Sequence, residues 1–234
     1  MANCCPRTLS SAITWFLECA NVSASSGKWD FVCASLVRKW LSLTLFWWQP
    51  LKKLRRLAKR KDLELWSLDE CHFQQHGTRC RMWIPPEVKD PVLTHAPTRK
   101  SIACFGAVSL ETGKFAYSLC DTFDAKTFEE FLMLLLRRRT RGKSMVIVLD
   151  NARYHHAKLL APLLHKYRQV LTLLFLPPYS PQLAPIERVW KLARRLATHN
   201  RYFETLAEVL DVVQPCFARW TKPNLVLRRL CGII

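Results

Sequence analysis

Three carboxylates in this 234-residue chain stand where chemistry could gather: Asp69, Asp150 and Glu187. Asp69 closes the stretch LELWSLD, and Asp150 closes the wholly apolar MVIVLD. In open α/β sheets, ligands and reacting groups collect at the carboxyl ends of strands. Glu187 follows a third apolar run, LTLLFL, across LPPYSPQLAPIERVWK at 176–191, which sets four prolines ahead of an amphipathic segment. Any one of these acids could be a turn residue or a helix cap. Three that converge would repel one another unless cations neutralised them. Hard divalent ions such as Mg²⁺ or Mn²⁺ take oxygen ligands and would bridge them. Two such ions can activate an attacking oxygen and stabilise a leaving one at a phosphodiester.

The charge balance points the same way. Thirty-six Lys and Arg oppose eighteen Asp and Glu, a net charge of +18. That excess suits a polyanion, most directly nucleic acid. RRRTRGK at 137–143, with Arg137, Arg138, Arg139 and Arg141, is a candidate phosphate-binding run, as are Lys191, Arg194 and Arg195 behind Glu187. His155 could contact DNA or steady the site. Glu70 follows Asp69 and should point to the other face of a continuing strand, which makes it the weaker candidate ligand.

Positioning these groups requires a particular order of elements. LELWSLD reads as a strand ending at Asp69. SIACFGAVS and KFAYSLCD form a hairpin with Gly113 in its turn, and AKTFEEFLMLLLRRR is helical. MVIVLD is a buried strand, and HHAKLLAPLLHKY a helix bent at Pro162. After LTLLFL, prolines exclude helix until Ala184, and Pro185 suits a first helical position. Ile186, Val189, Trp190, Ala193 and Leu196 then form a buried stripe. FETLAEVLDVVQPCFARW closes the chain as a further helical region. The order predicts a mixed α/β sheet, antiparallel first and parallel later. The proline loop would hold Glu187 stiffly against two acids carried on strands.

Residues 1–50 differ, with five of the nine tryptophans, four cysteines and few acids. Arg38 and Lys39 break their apolar stretch, so it is too short to span a membrane, and no signal peptide is expected. A disordered or degraded segment is expected there, with a single domain from 51 to 234. Ten cysteines without a CxxC pair fit a reduced interior, and Cys71, His72, His76 and Cys80 match no common zinc spacing. LKKLRRLAKRKD at 51–62 is a basic helix.

LDECHF, MWIPP, IACFGAVSLETGKF, VIVLDNARYHHA and LPPYSPQLAPIERVWK, in that order and with 37 positions between Asp150 and Glu187, carry a resemblance. From about Leu51 to about Leu210 the chain resembles the catalytic domain of bacterial insertion-sequence DDE transposases of the mariner-related superfamily. The resemblance implies an RNase H-like fold with Asp69, Asp150 and Glu187 as a DDE triad holding two Mg²⁺ or Mn²⁺ ions. It implies cleavage at element ends, then attack of the freed 3′-hydroxyl on target DNA. It also implies double-stranded DNA as partner, a homodimer, and a place in the bacterial cytoplasm at the nucleoid. Two departures stand out. Ala184 replaces the family's capping Asn, at a cost on the order of 1 kcal/mol. Residues 1–50 do not read as the helix-turn-helix modules that usually precede this domain. Two alternatives stay open: an RNase H-like nuclease or resolvase that cuts without joining, and an inactive DNA-binding remnant.

Overall fold

The computed structural model describes residues 50–81, 85–87, 98–177 and 183–232. Residues 1–49, much of MWIPP and the centre of the proline loop lie outside the described residues, so the expected stiffness of that loop does too.

A helix over residues 50–58 (α1) leads into a five-stranded sheet. The strands are β1 (Leu63–Gln74), β2 (Ser101–Ser109), β3 (Phe115–Cys120), β4 (Ser144–Leu149) and β5 (Leu171–Phe175), in the spatial order β3-β2-β1-β4-β5. β1 pairs antiparallel with β2 and parallel with β4. The hairpin turns as expected at Gly113, whose φ of +69° lies in the left-handed region that glycine enters freely.

The strand carrying Asp69 does not end there. β1 runs five residues further, because β2 keeps pairing with it through Gln74 while β4 stops at Ser67. Asp69 is therefore mid-strand for its antiparallel neighbour and just past the end for its parallel one.

Helices cover both faces, and alternation along β1 sorts its residues between them. Trp66 and Leu68 pack with Phe128, Phe131 and Leu132 of α2 (Ala125–Arg138) and Leu163 of α3 (Ala161–Lys166). Cys71 and Phe73 pack with Ile186, Val189 and Trp190 of α4 (Ile186–Ala197) and Phe217 of α5 (Leu206–Ala218). A last short helix, α6 (Leu225–Leu230), adds Leu227 to that layer. α2 starts on a capping box, with Asp124 accepting from the N–H groups of Lys126 and Thr127 at 2.8 Å each.

Two expectations shift, and the poor capping expected at Ala184 holds. The helix placed over 155–167 is two 3-10 turns, Arg153–His156 and Lys158–Leu160, followed by α3, and Pro162 sits in the first turn of α3 instead of bending a longer helix. Leu196 is 52% exposed, whereas Ala197 is buried in its place, since at 3.6 residues per turn Leu196 stands about 80° round the helix from Ile186 and Ala197 only about 20°. α4 begins with no side-chain cap at Ala184 or Pro185; the amides of Glu187 and Arg188 bond only to backbone carbonyls.

Gly106 sets how close α4 comes to the sheet. A Cβ built there would stand 2.2 Å from Cη2 of the Trp190 ring. Such a contact requires backbone or ring to move, and overpacking of this kind costs about 1–3 kcal/mol. Gly106→Ala should therefore lower the melting temperature by several degrees in a domain of this size. An unchanged melting temperature would mean that the indole does not lie against β2.

Candidate active site

Asp69 and Glu70 are adjacent in β1 and so face opposite layers. Glu70 points toward α2, as expected from alternation. Its Oε1 accepts from the Tyr154 hydroxyl and lies 3.0 Å from His155 Nε2. His155 Nδ1 lies 3.2 Å from Asp150 Oδ1, so one imidazole bridges two acids. The His155 side chain is fully buried, packed 4.3 Å from the Phe128 ring centroid. Burial alone would lower its pKa. The bonds to Asp150 and Glu70, and their charges, outweigh that and push it up to about 9. At neutral pH the ring is a cation donating from both nitrogens. Its bond to Asp150, despite some opposing burial and with help from the Ala152 amide at 3.1 Å, holds that carboxyl below the usual range.

Asp69 has no such partner. It faces α4, where Trp190 Nε1 donates to its Oδ2 at 3.1 Å. Burial, then the charges of Glu70 and Glu187, raise its pKa from 3.8 to about 7. Glu187, in the first turn of α4, is thus close enough to Asp69 for the two to repel. Arg194, further along that helix, is turned to Cys71, donating to its Sγ at 2.9 Å. Burial still pushes the Cys71 thiol up to about 12.

Asp150 follows directly on β4. The parallel register pairs Ser67 with Val148; two residues further along each strand stand Asp69 and Asp150. Both acids thus leave the ladder at the sheet's carboxyl end, Asp69 facing Trp190 of α4 and Asp150 turned to His155 beside Glu70. The loop after Asp150 is tied down by Asn151 Nδ2, which donates to the Leu176 carbonyl at 2.7 Å, and by His156 stacked 4.3 Å from Phe175.

The other candidates divide. His155 is buried, so it cannot present itself to DNA; its role is to brace Glu70 and Asp150, and the direct-contact expectation is corrected. Lys191 and Arg195 are exposed on α4, spaced by four and eight from Glu187. Arg194 is half-buried on Cys71, and Arg139 is half-buried, donating to the carbonyls of Thr140 and Lys143. Both are occupied by protein groups instead of facing solvent. Arg137, Arg138 and Arg141 are exposed, but beside the start of β4, at the end of the sheet opposite Asp150. Cys71 and His72 diverge, with His72 edge-on to Phe123 on the α2 side.

Among the described residues, the three metal-capable groups whose ligand atoms all lie within 4.8 Å of one another are Glu70, Asp150 and His155. A doubly protonated imidazole has no lone pair for a metal, and its single charge offsets one of the two acids it bridges. Of the acids at this end of the sheet, Asp69 and Glu187 have no ion pair with a described residue. Oxygen donors of that kind, crowded enough to raise a pKa, fit a hard divalent ion. Sequence reasoning missed Tyr154 and the Trp190 indole as partners of the acids. The only signal for Trp190 was its place three residues after Glu187, one turn along the same helix.

A mixed five-stranded sheet flanked by helices, with acids gathered at the carboxyl end of β1 and β4, defines the RNase H-like class of polynucleotidyl-transferase fold. Residues 64–210 match the DDE superfamily endonuclease family, and the chain belongs to it. The catalytic domain of Mos1 mariner transposase superposes with a TM-score of 0.55 at 19% identity, covering 78% of this chain and 83% of that one. The Mos1 transposase in a paired-end complex with the left transposon end gives 0.59 at 20% identity, over 78% of this chain and 56% of that one. This chain thus spans little more than half of the full transposase. At these identities the likeness is one of fold. The protein y4pE/y4sA of Sinorhizobium fredii strain NGR234 is 36% identical over 118 residues, which is 50% of this chain and 82% of that one.

The pKa shifts fix a pH dependence for the metal-free protein. His155 in the fold titrates near 9, above its ordinary 6.5, so its stabilisation is complete below 6.5 and lost as pH rises through 9. Asp69 is raised from 3.8 to about 7, so the fold favours its neutral form and loses stability as pH rises across that interval. In chelator, the melting temperature should fall from pH 5 to 9. Asp69→Asn should flatten the lower part of that decline and His155→Gln the upper part. A flat profile for the unsubstituted chain would contradict both assignments.

Proposed function

We propose that the chain is a transposase catalytic domain that cleaves DNA strands and joins the freed end to target DNA, with Asp69, Asp150 and Glu187 as its metal-holding triad. The observation that carries this reading is the Asp69–Glu187 pair. These are two carboxylates set against each other without a cation from the described residues, beside the strand end that delivers Asp150, in a fold of DDE endonucleases. The family's chemistry fits two Mg²⁺ or Mn²⁺ ions, which would lower the pKa of an attacking oxygen and offset charge on the leaving one.

The protein's own residues would divide the work. Asp69 and Asp150, on adjacent strands, would fix one side of the site, and Glu187 would close the other from α4. Trp190 would hold the Asp69 carboxyl in one rotamer, leaving Oδ1 free of that bond. His155 and Glu70 would keep Asp150 from turning away. In the first reaction a water oxygen attacks phosphorus and the P–O3′ bond breaks, leaving a 3′-hydroxyl. In the second, that hydroxyl oxygen attacks a target phosphodiester and displaces its 3′-oxygen. Double-stranded DNA is the substrate in both steps, with element ends first and target second. Bringing two ends together calls for two copies of the chain. The net charge of +18 suits work on DNA in the bacterial cytoplasm. Among the described residues, no helix is long and apolar enough to cross a membrane.

Purified protein should nick supercoiled plasmid in Mn²⁺ or Mg²⁺ and not in chelator. Asp69→Asn, Asp150→Asn and Glu187→Gln should each reduce nicking by a factor of about 100 or more, the scale of losing a preorganised electrostatic group. Mn²⁺ should raise the melting temperature of the unsubstituted chain and of none of the three variants. Nicking that survives all three substitutions would refute the triad. Nicking without joined product from a labelled 3′-hydroxyl end would leave a nuclease that cuts without joining.

A further inference from the structure

The sheet separates two ends of unlike charge. β1 and β4 are parallel, so the links that enter them, 59–62 from α1 and 139–143 from α2, meet at the end away from the carboxylates. Leu63 pairs with Ser144 there, and the Ser144 amide donates to the Asp62 carbonyl at 3.0 Å. Leu57, Ala58 and Arg60 share one small cavity with Leu63, Leu65, Leu110 and Glu111, which seats the end of α1 against the same edge. The end of α1 and the run at 137–143, 80 residues apart in sequence, therefore meet at this end of the sheet.

Three acids beside the links are engaged, while Glu129 and Glu130 line one cavity with Arg137 and Arg138. Asp62 is paired with Arg60, Glu111 with Lys143 at 3.0 Å, and buried Glu64 accepts from the Thr140 amide at 3.1 Å. Lys53, Arg56, Lys59, Arg137, Arg138 and Arg141 are exposed around them. From Leu63 to Asp69 the strand rises about 20 Å. That distance equals roughly six base-pair steps of a duplex.

We propose that this basic end is a second DNA-contacting surface, which holds the phosphate backbone of duplex DNA at least about six base pairs from the reacting phosphodiester. The inference rests on the DNA-directed reading above and adds to it where the duplex is gripped. Contacts of this kind orient a duplex without reading its sequence. Grip and cleavage are then separable functions of opposite ends of one sheet.

The test is fluorescence anisotropy of a labelled random-sequence duplex of about 40 base pairs, titrated with the full chain in chelator from 50 to 200 mM salt. Two triple variants, Arg137→Ala/Arg138→Ala/Arg141→Ala and Lys53→Ala/Arg56→Ala/Lys59→Ala, should each flatten the slope of log affinity against log salt by about 2.7. Over that salt range, the affinity lost by the unsubstituted chain should exceed the variants' loss about 40-fold. Both variants should keep the Mn²⁺-induced rise in melting temperature, which shows the fold and the carboxylates intact. Binding by the unsubstituted chain with both variant slopes within half a unit of it would overturn the basic end and leave the DNA-directed reading standing. No binding by the unsubstituted chain would overturn both.

Discussion

Crowding of negative charge is the constraint around which this structure is arranged. Glu70 and Asp150 share His155 at one end of the sheet, and Asp69, buried on the other face, feels the charges of Glu70 and Glu187. The sheet itself makes the first division, because alternation sends Asp69 and Glu70 to opposite layers. The protein then treats the two layers differently. On one, a buried imidazolium supplies positive charge to Glu70 and Asp150, and a tyrosine supplies a further donor. On the other, Asp69 receives a single indole N–H and Glu187 keeps its repulsion. The molecule thus offsets part of this charge internally and leaves Asp69 and Glu187 without a cation from the described residues.

That division depends on backbone register. β1 is the only described strand paired on both edges by neighbours of different sense, β2 antiparallel and β4 parallel. The longer antiparallel ladder carries Asp69 past the point where β4 stops, so its side chain reaches the site from a strand still held on its other edge. Asp150 arrives from a strand that has just ended and is steadied by the next few residues: the Ala152 amide, Asn151 tied to Leu176, and His155. One acid is fixed by ladder hydrogen bonds and the other by a compact loop. Glu187 comes from a helix whose tilt and distance are set by Trp190 lying over Gly106.

Much of this was legible in the sequence, and the limits have physical causes. Apolar runs ending in acids located the strands, and period-two alternation placed Glu70 on the far face from Asp69. The end of β1 was misjudged because ECHFQ carries polar residues, whereas the pairing that continues through it is supplied by β2 and is invisible in β1 alone. The 3-10 turns after Asp150 escaped because HHAKLL has helical composition; the bridge from His155 to two acids, one of them 85 residues away, overrides it. Leu196 was drawn into the buried stripe by residue type, while geometry gave the place to Ala197. The arginines at 137–141 read as candidate phosphate contacts, but their distance from the acids was not legible, because nothing in a linear chain tells which end of a parallel strand its preceding loop will occupy.

Gly106 has a bearing on heredity as well as on packing. On the proposed function, keeping the acids alone would not guarantee a working copy. Here the surroundings of Asp69 are encoded in another strand, at a position with no side chain and no charge. A descendant of this chain bearing alanine or valine at 106 would retain every carboxylate. It would nonetheless have pushed Trp190 off β2, unhooked the indole from Asp69 and moved the helix that carries Glu187. Reading whether a lineage is alive therefore requires the glycine to be counted together with the acids.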